Sequence, residues 1–177
     1  MKFVSVAVRL IQSIQEATKI AEDLLIHWVY SSSFTEVVQT SFGTEFNPQT
    51  LSDIQQSWMQ GDFSQIPKVE IHFRPELDNA DGAFSKSTGK IYLAYEYLIQ
   101  HQQNPLAIAS ILLEEIGYWI DAEINLEETP GNVGAIFSAL VRGKHLSEQQ
   151  LLQLRTENDT AIAQIDSQVM ELEKVIS

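Results

Sequence analysis

The chain has 177 residues, of which 44% are hydrophobic, and its formal net charge is −13. That length and that hydrophobic content are typical of one ordinary domain with its own core, and they argue against a disordered chain. The acidic balance argues against DNA or RNA as the main partner, because phosphate binding needs a basic surface. The absence of cysteine excludes a disulfide scaffold, a Cys-ligated zinc finger and a Cys nucleophile.

The first residues do not predict a cleaved signal peptide. Arg9 interrupts the apolar run over 3–8, and no clear small-residue cleavage site follows it. No apolar run reaches the roughly 20 residues that a membrane-spanning helix needs. The expected location is therefore left open between the cytoplasm and export without a cleaved signal peptide.

Helical spacing of apolar residues dominates the start of the chain, and it predicts a long amphipathic helix over 3–30. The helix either packs against its own domain or binds a partner protein or a second copy. Its mixed charge weighs against a membrane-surface role. We treat 1–31 as the N-terminal helix and 32–177 as one compact unit. The predicted apolar stripe consists of Val4, Val8, Ile11, Ile14, Ile20, Leu24, Leu25 and Trp28.

Short helices are expected next, at about 34–42 and 49–60. Alternating apolar and polar residues then predict two strands, near 68–73 and 90–94, which should share a sheet, the first with one buried face. Between them, Asp78 and Asp81 weakly resemble calcium ligands. They lack the spacing and the terminal Glu of an EF-hand, so a plain turn is preferred.

Asn104 and Pro105 predict the start of a central helix over 105–124, with Asn as the cap and Pro in the first turn. This helix is apolar around much of its circumference, so it should be the buried centre of the domain. Further helices are expected near 133–142 and 147–156. The tail over 160–175 is either a hairpin, which we favour, or one helix. The predicted fold is α+β and mostly helical, with the small sheet packed on 105–124.

The central helix carries the run from Leu112 to Tyr118, which is comparable with a zinc-peptidase helix. Such a helix reads H-E-x-x-H, with two histidine ligands and a Glu that acts on the metal-bound water. Here Glu115 stands at the position of the base, while Glu114 and Tyr118 stand at the positions of the ligands. The pattern indicates the framework of a metallohydrolase without its usual metal ligands, and it argues against an enzyme.

At about 100° per residue, Glu114, Tyr118 and Asp121 share one face of this helix. One interpretation makes Glu114 and Asp121, with His72, the ligands of a divalent cation such as Ca²⁺, Mn²⁺ or Zn²⁺, with Tyr118 as a hydrogen-bond donor. The other, which we favour, makes them satisfied polar groups at the edge of a core helix, with no cofactor. Gly117 predicts that another element packs closely against this helix.

The other histidines, His27, His101 and His145, are scattered without a short ligand spacing. The chain also contains no G-x-S-x-G elbow, no P-loop and no G-x-G-x-x-G motif. None of these common catalytic or nucleotide-binding arrangements is therefore predicted.

A family resemblance is carried by a succession of motifs, which together cover about 35–175. As a set they resemble a domain near the start of cyanobacterial haemolysin-type calcium-binding (RTX-repeat) proteins, and the resemblance implies a zincin-like fold. The motifs are Gly82-Ala83-Phe84-Ser85, Thr88-Gly89-Lys90-Ile91-Tyr92-Leu93, Leu112-Leu113-Glu114-Glu115-Ile116-Gly117 with Asp121, and the run from Gly134 to Gly143.

This chain departs from the family pattern at two places. The family helix commonly reads E-E-x-G-H, where this chain has Tyr118, and its later loop commonly reads G-D-E-G, where this chain has Asn132 and Val133. Both departures remove candidate ligands. The chain contains no G-G-x-G-x-D repeat, so calcium binding by such repeats is not implied.

Two functions are therefore expected. The first is a non-catalytic, zincin-like binding, scaffold or regulatory module that engages a protein partner through helix 3–30. The alternative is a peptidase-like, metal-dependent hydrolase with the carboxylate ligands named above and Glu115 as its base. A role as an accessory protein of an export or peptide-processing system is a weaker third interpretation.

Overall fold

The fold places a mixed β-sheet against a layer of helices, as the α+β prediction stated. The structure is a computed structural model that describes residues 2–158, 160–165 and 168–175. Over these ranges it contains seven α-helices and one five-stranded sheet. None of the helices in these ranges combines the length and hydropathy needed to cross a bilayer.

Local signals explain most of the helix boundaries. The side chains of Asn47, Asn104, Asn132 and Ser147 each accept a hydrogen bond from the first turn of the helix that follows. Six of the helices were predicted, and α4 was not. In chain order they are α1 (Lys2–Tyr30), α2 (Phe34–Phe42), α3 (Pro48–Met59), α4 (Tyr95–Gln100), α5 (Pro105–Ile124), α6 (Val133–Val141) and α7 (Glu148–Thr156).

The sheet has the strand order β1-β3-β2-β5-β4. The two predicted strands are confirmed and lie side by side, β1 parallel to β3, with Val69 opposite Ile91. The remaining pairs are antiparallel. A short 3₁₀ helix, Arg74–Leu77, follows β1. The strands are β1 (Val69–His72), β2 (Gly82–Ser85), β3 (Lys90–Ala94), β4 (Thr160–Ile165) and β5 (Gln168–Val175).

The C-terminal hairpin is confirmed as β4 and β5, which pair from Ile165 opposite Gln168 outwards. The two residues between these strands, Asp166 and Ser167, lie outside the described residues. The hairpin adds to the sheet through β5, which pairs with β2. It therefore completes the sheet from the far end of the chain.

Helix α5 is the buried centre of the molecule, as predicted, and lies between the sheet, α1 and α6. On the sheet side, a Cβ added at Gly82 would lie 2.8 Å from Cγ2 of Ile111 and 3.1 Å from Oε1 of Glu115. The sheet therefore approaches α5 as closely as a glycine permits.

Helix α1 lies along α5, but its buried stripe differs from the predicted one. Val8 and Ile11 are 47% and 55% exposed. Small residues take much of the contact with the core, and an apolar-periodicity argument gives such residues little weight. The buried residues are Leu10, Ser13, Ala17, Ala21, Leu25, Trp28 and Val29. Most of α1 therefore belongs to the same core as α5.

Candidate functional site

The face of α5 that carries Glu114, Tyr118 and Asp121 is covered by α6 and by the loop before it. A Cβ added at Gly117 would lie 3.0 Å from the ring of Phe137 and 3.1 Å from Cα of Gly134. A Cβ added at Gly134 would lie 2.5 Å from the backbone oxygen of Glu114. The close packing predicted at Gly117 is therefore confirmed, with α6 as the partner.

Tyr118 holds the start of α6. Its buried hydroxyl donates a 2.6 Å hydrogen bond to Oδ1 of Asn132. The same oxygen caps α6 by accepting from the backbone N–H of Ala135, at 3.1 Å. Nδ2 of Asn132 donates to Glu157 just beyond α7, at 2.9 Å. The position that a second histidine ligand would take is thus occupied by a group that joins α5 to α6.

Asp121 fastens the loop after α5. Its Oδ1 accepts hydrogen bonds from Oγ1 of Thr129 at 2.6 Å and from Nδ2 of Asn125 at 2.7 Å. Its Oδ2 accepts from the backbone N–H of Thr129 at 2.9 Å. Asp121 is buried, so these donors replace the water that the carboxylate would otherwise bind. The chain itself satisfies much of the capacity that a metal ion would need.

Glu114 lies in a partly buried group of charges. Burial raises the pKa of Glu114 to about 7; the positive charge of Arg142 opposes this, while Glu157 and Asp81 add to it. Nε of Arg142 donates to the backbone oxygen and the hydroxyl of Ser138, both at 3.1 Å. Glu114 therefore changes its charge near neutral pH, which an exposed carboxyl does not do.

Tyr97 belongs to the same group of charges. Burial, with the negative charges of Asp81 and Glu114, raises the pKa of Tyr97 to about 12, and Arg142 opposes the rise. Its hydroxyl donates to the backbone oxygen of Ala107 at 3.3 Å. Tyr97 therefore stays neutral and acts as a hydrogen-bond donor at physiological pH.

Glu115 lies against the sheet. It is fully buried, and its Oε1 lies over Gly82 of β2, beside Ile111 and Leu93. A general base must come within hydrogen-bond reach of a substrate or of one bridging water. In this structure the carboxyl group of Glu115 is enclosed by protein.

His72 lies on the other face of the sheet from α5. Leu93 faces α5, so its neighbour Tyr92 faces the opposite way, and the rings of Tyr92 and His72 lie 5.3 Å apart. Hydrogen bonds join His72 to Glu76 at 2.7 Å and to Glu70 at 3.0 Å. The structure does not bring His72 to the carboxylates of α5.

No group of three or more His, Asp and Glu side chains is arranged to hold a metal ion in the described ranges. Glu114 and Asp121 share a helix face but stand seven residues apart, about 10 Å along the axis at 1.5 Å per residue. The predicted ligand set is therefore spread over two turns of α5 and the far face of the sheet.

The sequence did not predict the ion pair between Arg74 and the buried Asp81, whose side chains lie 2.6 Å apart. The backbone oxygen of Asp81 also accepts from the N–H of Ala94 at 2.8 Å, which fastens the predicted turn to β3. The available signal for the ion pair was an acidic residue, Asp81, directly before a buried strand.

The prediction that β1 has one buried face is wrong. Its apolar residues Val69 and Ile71 are 40% and 43% exposed, and β1 is the edge strand of the sheet.

The polar residues of α5 thus have identifiable contacts within the fold. Tyr118 holds the start of α6, Asp121 holds the loop after α5, and Glu115 is enclosed beside the sheet.

No protein-family model, curated protein or solved structure matches this chain.

Proposed function

We propose that this chain is a non-catalytic protein-binding module with a zincin-like framework, rather than a metal-dependent hydrolase. The observation that carries the proposal is the bonding of Asp121. Two of its neighbours, Thr129 and Asn125, donate three hydrogen bonds to its carboxylate. A ligand carboxylate would have to give up part of this network to bind a cation, and the loop that it fastens would then be released.

The alternative is a hydrolase in which Glu114, Asp121 and His72 hold a divalent cation and Glu115 is the base. This function would need two changes. Helix α6 would have to move away from Gly117, and the His72 side chain would have to reach the other face of the sheet. Both changes would break close packing and hydrogen bonds that the structure contains. Cation binding would also require ionised carboxylates, which ties it to the ionisation of Glu114.

Metal content and thermal stability distinguish the two functions. The tag-free protein is dialysed against Zn²⁺, Ca²⁺ or Mn²⁺, its bound metal is measured by mass spectrometry, and its melting temperature is recorded with each ion. We expect no stoichiometric metal and no shift in melting temperature. Stoichiometric metal that is lost in Glu114→Gln, and kept in a variant of the exposed Glu123, would overturn the proposal.

The binding surface that we propose is the start of α1. Val6, Val8 and Ile11 are exposed there, while Leu10 and Ser13 in the same turns are buried. The hydroxyl of Ser13 donates to the backbone oxygen of Gln102, so this part of α1 is fixed to the body of the protein. A fixed helix that presents apolar side chains is a common way to engage a partner groove.

Site-specific photocrosslinking in the cells that make this protein tests the surface. A photoreactive residue at Val8 or Ile11 should yield a discrete adduct with another protein. The same residue at Leu152, an exposed leucine on α7, is the matched control and should yield none. Adducts of equal amount from Leu152, or none from α1, would count against the surface.

A further inference from the structure

The edge of the sheet at β1 offers main-chain groups to another strand. β1 pairs only with β3 among the described strands. The N–H of Ile91 donates to the backbone oxygen of Lys68, which sets the alternation along β1. The main-chain groups of Glu70 and His72 therefore point towards β3, and those of Val69 and Ile71 point away from the sheet. Phe73 follows β1, and its backbone oxygen already accepts from the N–H of Glu76 at 2.9 Å. Such an edge is a template for strand pairing.

The side chains along this edge have a self-complementary order. Val69, Ile71 and Phe73 are 40%, 43% and 58% exposed and lie on one face. Glu70 and His72 alternate with them on the other face, where they lie 3.0 Å apart. Within the chain, Glu70 also accepts from Lys90 at 2.6 Å, and His72 also contacts Glu76 at 2.7 Å. Over 69–73 the order is apolar, acidic, apolar, basic, apolar. Read in the opposite direction, the order differs only in that the acidic and the basic positions are exchanged. In an antiparallel pair of two such strands, each acidic position therefore faces a basic one.

We propose that β1 pairs antiparallel with β1 of a second copy, about a twofold axis at Ile71. Ile71 then lies opposite Ile71 of the second copy, in a pair that exchanges two main-chain hydrogen bonds. Val69 lies opposite Phe73, whose N–H donates to the backbone oxygen of Val69. Glu70 lies opposite His72 on both sides of the axis. This last pair is of the closer, non-hydrogen-bonded kind, in which opposite charges interact best.

Other twofold registers are less favourable. An axis at Glu70 sets two carboxylates against each other, and an axis at His72 sets two imidazoles against each other. An axis at Val69 sets Pro67 opposite Ile71 of the second copy, and an axis at Phe73 sets Pro75 opposite that same Ile71. Proline has no N–H to complete those hydrogen-bonded pairs. The sequence around β1 thus selects the axis at Ile71.

A groove beside β1 gives the partner's aromatic ring a place to lie. It has a volume of about 180 Å³ and includes Val69 in its lining, with mostly apolar side chains from α1, α5 and the segment before β1. In the proposed register, Phe73 of the second copy lies across from Val69, at the mouth of this groove. Each copy fills the groove of the other, which is why a second copy fits this edge. The apolar lining includes Leu25, Phe63, Ile66, Leu112 and Ile116.

A charge exchange tests the register. Glu70→Lys places a lysine opposite His72 across the axis, and His72→Glu places a glutamate opposite Glu70, so we expect each variant alone to be monomeric. In an equimolar mixture, the introduced lysine of one copy faces the introduced glutamate of the other, and the remaining His72 and Glu70 face each other, so heterodimers should form. Sedimentation equilibrium over a range of concentrations measures these states, and circular dichroism checks that each variant is folded.

Two further variants isolate the strand edge. Ile71→Pro removes the central outward N–H and should give monomers alone and in every mixture, whereas Ile71→Val should keep the dimer. Val8→Glu with Ile11→Glu, on the α1 surface, should leave the dimer intact, so the two proposals fail separately. A wild type that is monomeric at all concentrations, or a charge-exchange mixture that stays monomeric, would overturn the strand pairing.

Discussion

The hydroxyl of Tyr118 lies 2.6 Å from Oδ1 of Asn132, the oxygen that also caps α6. One atom thus accepts from the central helix and from the first turn of the next helix. Asn132 extends the connection to Glu157 through its amide nitrogen. Three elements therefore meet where the resemblance to zinc peptidases would place a histidine ligand, and the contact is structural.

Tyr118→Phe removes the donor to Asn132 and keeps the buried ring. We expect the free energy of unfolding to fall by about 1–2 kcal/mol, because a largely buried acceptor loses one partner but keeps its capping bond. Urea denaturation measures the change. Tyr30→Phe, which removes a 2.8 Å bond to Met59 at an exposed site, is the control and should cost less. An equal loss in both variants would contradict the role of Tyr118.

Asp121→Ala removes the acceptor for Thr129 and Asn125. The expected loss of stability is about 2–4 kcal/mol, since charge-assisted hydrogen bonds to a buried carboxylate are lost and their donors remain. Thr129→Ala should cost less by itself. In the double variant the effects should fall short of additive by roughly 0.5 kcal/mol or more, the threshold for groups that share a bond. Additive losses would show that Asp121 does not act through Thr129.

The elements that could be predicted from the sequence are those whose bounds are set by neighbouring residues, such as helix caps. The bounds 105–124 of the central helix were predicted and observed, because Asn104 caps it and Pro105 sits in its first turn. Strand β2 and helix α4 were missed, since they are only four and six residues long. β2 also pairs with the C-terminal strand β5, a contact that no local pattern predicts.

The arrangement of the candidate site depended on contacts that no local pattern encodes. Periodicity assigned His72 to a strand, but only the parallel register of β1 against β3 decides which face it occupies. Likewise, the shared face of Tyr118 and Asp121 followed from helix geometry, whereas its cover by α6 depends on the crossing at Gly117 and Gly134.

The crossing of α5 and α6 predicts an order of sensitivity to added methyl groups. Gly134→Ala should destabilise more than Gly117→Ala, because its Cβ would lie 2.5 Å from a backbone oxygen, whereas no atom would come closer than 3.0 Å to the Cβ at 117. We expect about 2–3 kcal/mol for Gly134→Ala, as for an overpacked core, and about 1 kcal/mol for Gly117→Ala, partly offset by helix propensity. Thermal and urea unfolding give both values, and the reverse order would contradict the crossing.

The pKa of Glu114 predicts a dependence of stability on pH. In the unfolded chain this carboxyl ionises near its ordinary pKa of 4.5, and in the folded protein it ionises at about 7. The folded state therefore holds the proton more tightly, so Glu114 lowers stability as the pH rises from 4.5 to 7. Its full effect above about pH 7 is up to about 3 kcal/mol.

Glu114→Gln places a neutral group at the same position and removes this titration. We expect the variant to match the wild type near pH 4 and to be more stable than the wild type above about pH 7, by urea denaturation across that range. Glu123→Gln, an exposed carboxyl on the same helix, is the control and should leave the difference between acid and neutral pH unchanged. Parallel curves for Glu114→Gln and the wild type would mean that Glu114 is already solvated and ionised in the folded protein, since only a buried, protonated carboxyl produces the divergence.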